Sequence, residues 1–472
     1  MRFSLALISL FISNFLFSQH HDLSDKPIMW KGKQHQTSDS TSLLHAFKTG
    51  ITHGHFRYFS SGTINKGALT DYYANAIGGG IRYETNKFYN FQFAVSGFYF
   101  FNIGSSDMTA LDPLTNQGNR YEIGLFDLEH PDNKKDMDRL EELYLKYNGK
   151  KGHVIFGRQL INTPLINLQD GRMRGTGVEG LWFDYTPTSK LVLQVGFLYA
   201  LSPRSTTRWY GVGESIGLYP QGIATNGVRA DYLGKVHSKG IGVLSAKYLP
   251  VKGLELQVWD YFVENVFNVV FTQAQYSKPI KNGNKLIFGA QFIRQDAVVG
   301  HQPQNVAFQY IEKGSKAMTY GGKAAYRHKN WEYSVNYNRI TNNDRFLFPR
   351  EWGRDPFFTF MPRERSEGFA NVQAVVGKVD WIGKNKLLKV NFAAGYVNNP
   401  DVLEFDKNKY GLPSYSQINL DIRYNFNKIV HGLEGQLLLV SKFGIGETHG
   451  NLRYEFNKVN MLLGNLVLNY HF

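Results

Sequence analysis

Apolar and polar residues alternate from about His45 to the last residue, in segments of roughly ten residues, as in strands whose two faces meet different surroundings. In WEYSVNYNR, Trp331, Tyr333, Val335 and Tyr337 fall on one face, and Glu332, Ser334, Asn336 and Asn338 on the other. SQINLDIRYNF sets Ile418, Leu420, Ile422 and Tyr424 against Gln417, Asn419, Asp421 and Arg423. The closing LVLNYHF carries the pattern into the carboxyl terminus, with Leu466, Leu468, Tyr470 and Phe472 at every second position. A soluble sandwich alternates too, but its strands are usually shorter. The connections separate the two. Eight short turns rich in Asn, Gly, Lys or Pro lie near residues 85, 148, 186, 250, 281, 328, 383 and 427. Longer loops fall at 104–139, 162–175, 204–239, 300–315, 343–367 and 400–413. Short turns alternating with long loops mark a transmembrane barrel, with the turns periplasmic and the loops extracellular. Eight turns imply nine strand pairs, hence about eighteen strands and a lumen wide enough for solutes. The expected fold is all-β: a single-chain antiparallel barrel over 43–472.

Composition agrees. Tyr and Phe contribute 28 and 35 residues, Gly 47 and Pro only 15, which suits strands joined by tight turns. No apolar stretch of about 18 residues follows the N-terminus, so no membrane helix is expected. With no Cys, disulfides, thiolate metal sites and Cys nucleophiles are excluded. The start, MRFSLALISLFISNFLFSQ, reads as a signal peptide over 1–18: Arg2, an apolar run Phe3–Phe17, then Ser18 before a cut near Gln19. The net charge of +14 becomes about +13 in the mature chain. Lys and Arg are scattered and no nucleic-acid-binding motif is present, so a nucleic-acid partner is not expected. Residues 19–42 are polar and aperiodic, and read as a mobile periplasmic segment. About twenty residues cannot form the plug domain of an energy-coupled transporter.

The densest chemistry lies in Gly157–Pro187. Its middle, Asn162–Gly175, breaks the alternation and carries Asp170, Arg172 and Arg174, with Arg158 just before it. A charged loop folded into a lumen narrows it and selects by size and sign. GRQLINTPLINLQDGRMRGTGVEG resembles the motif of the OprD-type substrate-specific outer-membrane porins. The matching residues are Gly157, Arg158, Gln159, Asn162, Thr163, Pro164, Asp170, Arg172, Met173, Glu179 and Gly180. Members usually carry Pro where Gly175 stands here, behind Arg174. The resemblance implies a monomer rather than a trimer, eighteen strands, an inward-folded third loop, and lumenal Arg and Lys leading carboxylate-bearing solutes past an acidic spot. By alternation, Lys323, Arg327, Lys389 and Arg423 are candidate lumenal cations, with Asp421 beside the last.

A second stretch, Phe348–Gly368, is too aromatic for a freely solvated loop. Arg350, Arg354, Asp355, Arg363 and Arg365 either sit at the mouth of a second pore loop or pair off to hold a packed loop shut; the packed reading is favoured for most of them. His20, His21 and His35 lie in the tail. His53 and His55 share a strand face, but two ligands without a third do not make a metal site. No cluster reads as a catalytic unit, and no G-x-S-x-G serine elbow is expected, a motif that belongs to another fold in any case, so no enzyme and no cofactor are expected. The reading is an outer-membrane porin of a Gram-negative cell for small anionic or zwitterionic solutes. Its expected surroundings are outer-membrane lipid and lipopolysaccharide. A non-transporting adhesin or assembly scaffold and a barrel lipid hydrolase are the alternatives. Leu466, Leu468, Tyr470 and Phe472 resemble the terminal signal read by the barrel-assembly machinery.

Overall fold

The computed structural model describes residues 29–31, 39–169, 171–300 and 302–472. The segment read as a signal peptide lies outside them, as do His20, His21, His35 and Asp170.

Among the described residues, eighteen strands of eight residues or more follow one another round a closed sheet. They are β1 (Ile51–Asn65), β2 (Tyr72–Glu84), β3 (Phe91–Ser105), β4 (Met137–Gly149), β5 (Gly152–Gln159) and β6 (Gly177–Thr188). Next come β7 (Leu191–Ser202), β8 (Ile241–Tyr248), β9 (Leu254–Val263), β10 (Phe267–Pro279), β11 (Lys285–Ala297) and β12 (Lys316–His328). The last are β13 (Trp331–Ile340), β14 (Val372–Ile382), β15 (Leu388–Asn398), β16 (Tyr415–Asn425), β17 (Leu433–Gly444) and β18 (Met461–His471). Each pairs antiparallel with its sequence neighbours. The sheet closes where β18 meets β1, from His55 opposite His471 to Asn65 opposite Met461. Closure leaves no open edge, so every strand finds backbone partners on both sides.

The eight expected short turns all join consecutive strands at one end. In the turn at 280–284, Asn282 and Gly283 both take positive φ (62° and 74°), a backbone that matches the twist of a tight hairpin and that Asn and Gly adopt most readily. The other end carries L2 (106–136), L3 (160–176), L4 (203–240) and L7 (341–371), together with shorter loops.

The alternation has the polarity of a membrane barrel. On β13, Val335 is 63% exposed and Asn336 1%. Trp331, Tyr333 and Tyr337 face out, while Glu332, Ser334 and Asn338 are buried inside. A conventional core also exists, but within the lumen. Trp352, Phe346, Phe348 and Phe357 of L7 pack with Ile216 and Tyr232 of L4 against the inner wall. The long loops fold inward, which leaves one side of the lumen solid and the opposite side open.

Candidate functional site

L3 is nearly all buried from Ile161 to Gln169 and from Arg172 to Thr176. Its Asn162-Thr163-Pro164 turn is local: Thr163 N donates to Ile166 O at 2.8 Å, and Ile166 N donates to Thr163 Oγ1 at 3.1 Å. Asn167 then clasps L7. Its Nδ2 donates to Arg354 O at 3.0 Å, its Oδ1 accepts from Arg354 N at 3.1 Å, and its own N donates to Trp352 O at 3.1 Å. Thr176 Oγ1 donates to Glu351 O at 2.8 Å.

Arg174 fixes the far end of L3. Its Nε donates to Glu141 Oε1 at 2.6 Å and a terminal nitrogen bonds Glu141 Oε2, while Arg139 holds the same carboxylate at 2.8 Å. Arg174 also donates to His55 Nδ1 at 2.8 Å, which leaves His55 Nε2–H to donate to Asn469 Oδ1 at 3.1 Å and so sets the tautomer. Both ring nitrogens of His55 are therefore engaged. Arg172 is buried against Gly124 of L2.

L7 is pinned just as firmly. Glu364 bonds Arg120 of L2 at 2.9 Å and Lys442 of β17 at 2.7 Å. Burial raises the Glu364 carboxyl, but the charges of Arg120 and Lys442 outweigh it and bring it down to about 2. Asp355 Oδ2 accepts from Ser366 N at 2.6 Å, and burial pushes its carboxyl up, with the Arg365 charge opposing. Arg365 itself donates to Gly353 O. Burial likewise raises Glu351, which accepts from the N–H groups of Gly217 (3.0 Å) and Tyr219 (2.9 Å) in L4. Arg350 stacks over the Tyr410 ring at 4.7 Å. The Arg–acid set of L7 mostly ties the loop to its neighbours, with Arg354 and Arg363 the two that also reach the open space.

That space is a cavity of about 520 Å³ beneath L3 and L7, walled by β14 to β18 and β1. Among the described residues, eight basic side chains line it against three acidic ones, an excess of positive charge. Lys389, Asp421 and Arg423 are in the wall as the alternation predicts, joined by Arg57, Lys378 and Glu434. Arg423 and Asp421 pair within one strand at 2.9 Å, and Gln436 Nε2 donates to Asp421 at 3.0 Å. Arg363 takes a positive φ (77°) and donates to Asn465 Oδ1 at 2.8 Å. Arg57 lies within electrostatic reach of Arg172, Arg174 and Arg363.

Three expectations are corrected. Arg158 is not lumenal. It has the outward parity of Phe156, sits opposite outward Leu143, and pairs with Glu179 at 3.0 Å on the barrel's outer wall near the rim, under the Trp209 ring at 4.7 Å. Lys323 and Arg327 do face inward but both bind Glu332 (Lys323 at 2.8 Å), away from the cavity lining. The tail is not simply free: Met29 and Lys31 line the cavity, and Asp39–Ser40 pair with Lys87–Phe88.

Two features escaped the sequence reading. Asp127, Glu129 and His130 gather on L2 within 4.8 Å of one another. Their carboxylates already take Thr207 (3.1 Å) and Tyr210 (2.5 Å) of L4, so they act as a loop-to-loop pin. The sequence also contains one G-x-S-x-G spacing, Gly213–Gly217. Its Ser215 is fully buried in L4, donates to Val212 O at 2.7 Å and accepts from Trp352 Nε1 at 2.9 Å. It is a packing serine, not a strand-to-helix nucleophile elbow.

The fold matches solved porins. OpdK of Pseudomonas aeruginosa, in a structure with vanillate, superposes with a TM-score of 0.68 at 13% identity, over 90% of this chain and 99% of that one. OccAB1 of Acinetobacter baumannii gives 0.68 at 13%, over 92% and 98%. OccK3 (OpdO) of P. aeruginosa gives 0.64 at 14%, over 91% and 97%. No curated protein sequence matches the chain. The model of the outer membrane porin, OprD family, matches residues 114–364, a span that contains L3 and nearly all of the buried L7. A closed eighteen-stranded barrel narrowed by these two loops, together with that match, establishes that the chain is a Gram-negative outer-membrane barrel and belongs to the OprD family of porins.

Proposed function

We propose that the protein passes small, carboxylate-bearing solutes across the outer membrane by facilitated diffusion, without cofactor or energy coupling. The observation that carries this reading is the excess of basic side chains lining the cavity beside L3 and L7 among the described residues. Buried loop ion pairs set the bore, and wall cations raise the local concentration of anions. That OpdK was solved with vanillate, itself a carboxylate, favours the same class here. We further propose that the mature chain starts after residue 18, that it works as a monomer, and that Leu466, Leu468, Tyr470 and Phe472 serve the barrel-assembly machinery. Tyr470 and Phe472 are exposed on the outer wall and stack on each other at 5.8 Å, as an interfacial aromatic girdle requires.

Planar-bilayer recording tests the channel and its sign together. The pore should show stepwise conductance and a reversal potential in a salt gradient that favours anions. A lumenal charge about 8 Å from the ion path contributes about 0.5 kcal/mol in water-like dielectric, or about a twofold change in permeability ratio. Lys389→Gln with Arg423→Gln should therefore lower the anion preference roughly fourfold, if the two add. Conductance with unaltered selectivity in the double variant removes these residues from the path; silence at every voltage sinks the channel.

A further inference from the structure

Residues 29–31 of the N-terminal segment lie at the cavity. Met29 and Lys31 line the cavity, and Met29 is 7% exposed. Trp30 sits between them with its ring over the Arg174 guanidinium at 4.8 Å and edge-on to His55 at 6.2 Å. The Phe98 ring also lies against the same guanidinium, at 4.3 Å. The edges of Arg174 are filled by Glu141 and His55, and Trp30 packs its ring on the planar guanidinium. Lys31 Nζ then reaches Glu434 Oε2 on β17 at 2.5 Å. Three consecutive residues thus bridge from β1 and L3 to β17, along the cavity wall.

We infer that residues 29–31 form a tethered plug: Trp30 on Arg174 and Lys31 on Glu434 close the cavity from the turn side, and their release widens the path. The chemistry of the site is complementary to the segment. Arg174 offers a cation to an aromatic ring, and Glu434 offers a carboxylate to an ammonium. The docking is also built to be reversible. Trp30 Nε1 is buried with no hydrogen-bond partner, an unmet donor that water would satisfy once the ring leaves. The ion pair is only half-buried, with Lys31 37% and Glu434 28% exposed, so salt weakens it. Because the segment belongs to the same chain, its rebinding is intramolecular.

The consequence for flux rests on the channel reading, while the docking does not. In planar bilayers, Trp30→Ala and Lys31→Glu should each raise the mean single-channel conductance, by roughly one and a half to twofold if the plug occludes a comparable share of the bore. Adding Glu434→Lys to Lys31→Glu should restore the wild-type level, a rescue that general loosening would not produce. The absence of Cys gives a readout independent of transport. Met29→Cys should react with a water-soluble maleimide at least about tenfold more slowly in the folded barrel than in the urea-unfolded chain, and Trp30→Ala should speed it. Equal labelling rates overturn the docking, whether or not the barrel conducts. Slow labelling with conductance unchanged in both single variants overturns the plug.

Discussion

Glu364 should hold the pore's inner loop in place, and its replacement has a size that can be worked out. Its carboxylate is 6% exposed and bridges Arg120 of L2 to Lys442 of β17, which is fully buried. Glu364→Gln keeps an oxygen for the Arg365 N–H, now accepted at 3.0 Å, but leaves Lys442 without its counter-charge. Removing one partner of a buried pair costs about 3–5 kcal/mol. Arg120 is partly exposed and can rehydrate, and Tyr415 still offers its ring to Lys442 at 4.3 Å, so about 2–3 kcal/mol is the fair figure here. That shift multiplies the population with L7 lifted off β17 by about 30 to 150. In single-channel records it should appear as frequent excursions to a second conductance level. Lys442→Met added to Glu364→Gln should suppress most of the excursions, because a buried pair replaced by an apolar contact is often nearly neutral. A quiet single variant would refute the anchoring role. A double variant noisier than the single would refute the electrostatic account of it.

Asn167→Ala removes both side-chain bonds that tie L3 to Arg354 and leaves buried backbone groups unmet; it should cost about 2–3 kcal/mol and accelerate hydrogen exchange at both loops. Because the Glu364 carboxyl is lowered to about 2, its stabilising contribution is present above its unfolded value near 4.5 and is lost only as pH falls through about 2. Wild-type gating noise should therefore be the same at pH 7 and pH 5; onset of excursions in that window would count against the pair. Deleting Phe472, whose backbone pairs with Gly54 at 2.8 and 3.1 Å, should reduce the amount of inserted barrel far more than the conductance of those barrels that do insert.

The barrel was legible because its signal is repeated eighteen times: period-two alternation states the face of each strand, and Asn, Gly or Pro state the turns. Parity alone also places Arg57, which shares a face with His53 and His55 in HGHFRYF and lines the cavity. What parity cannot state is height. Arg158 lies at the L3 end of β5, where its charge on the outer face meets Glu179. From sequence, an outward charge at a rim and an inward charge at a constriction look alike. Partners across strands are equally hidden: Lys323, Arg327 and Glu332 are readable as lumenal, but the register that brings them together is a property of the closed sheet. Trp30 is in an aperiodic segment, and no local pattern says that its ring finds a guanidinium more than a hundred residues away.

The division of labour between loop and wall follows from burial. The pinning charges on L3 and L7 are buried and matched: Arg174 by Glu141, Glu364 by Arg120 and Lys442. A matched buried charge projects little net field into the lumen, and it cannot be altered without a large penalty. Wall residues such as Lys389 and Arg423 stand at the water's edge, where a substitution is cheap and its charge is felt by a passing ion. Loop substitutions should therefore act first on how often the path is open. Wall substitutions should act first on which ion uses it. The loop motif by which the family is recognised is then a specification of bore, and the solute is written in scattered strand positions that no short motif collects.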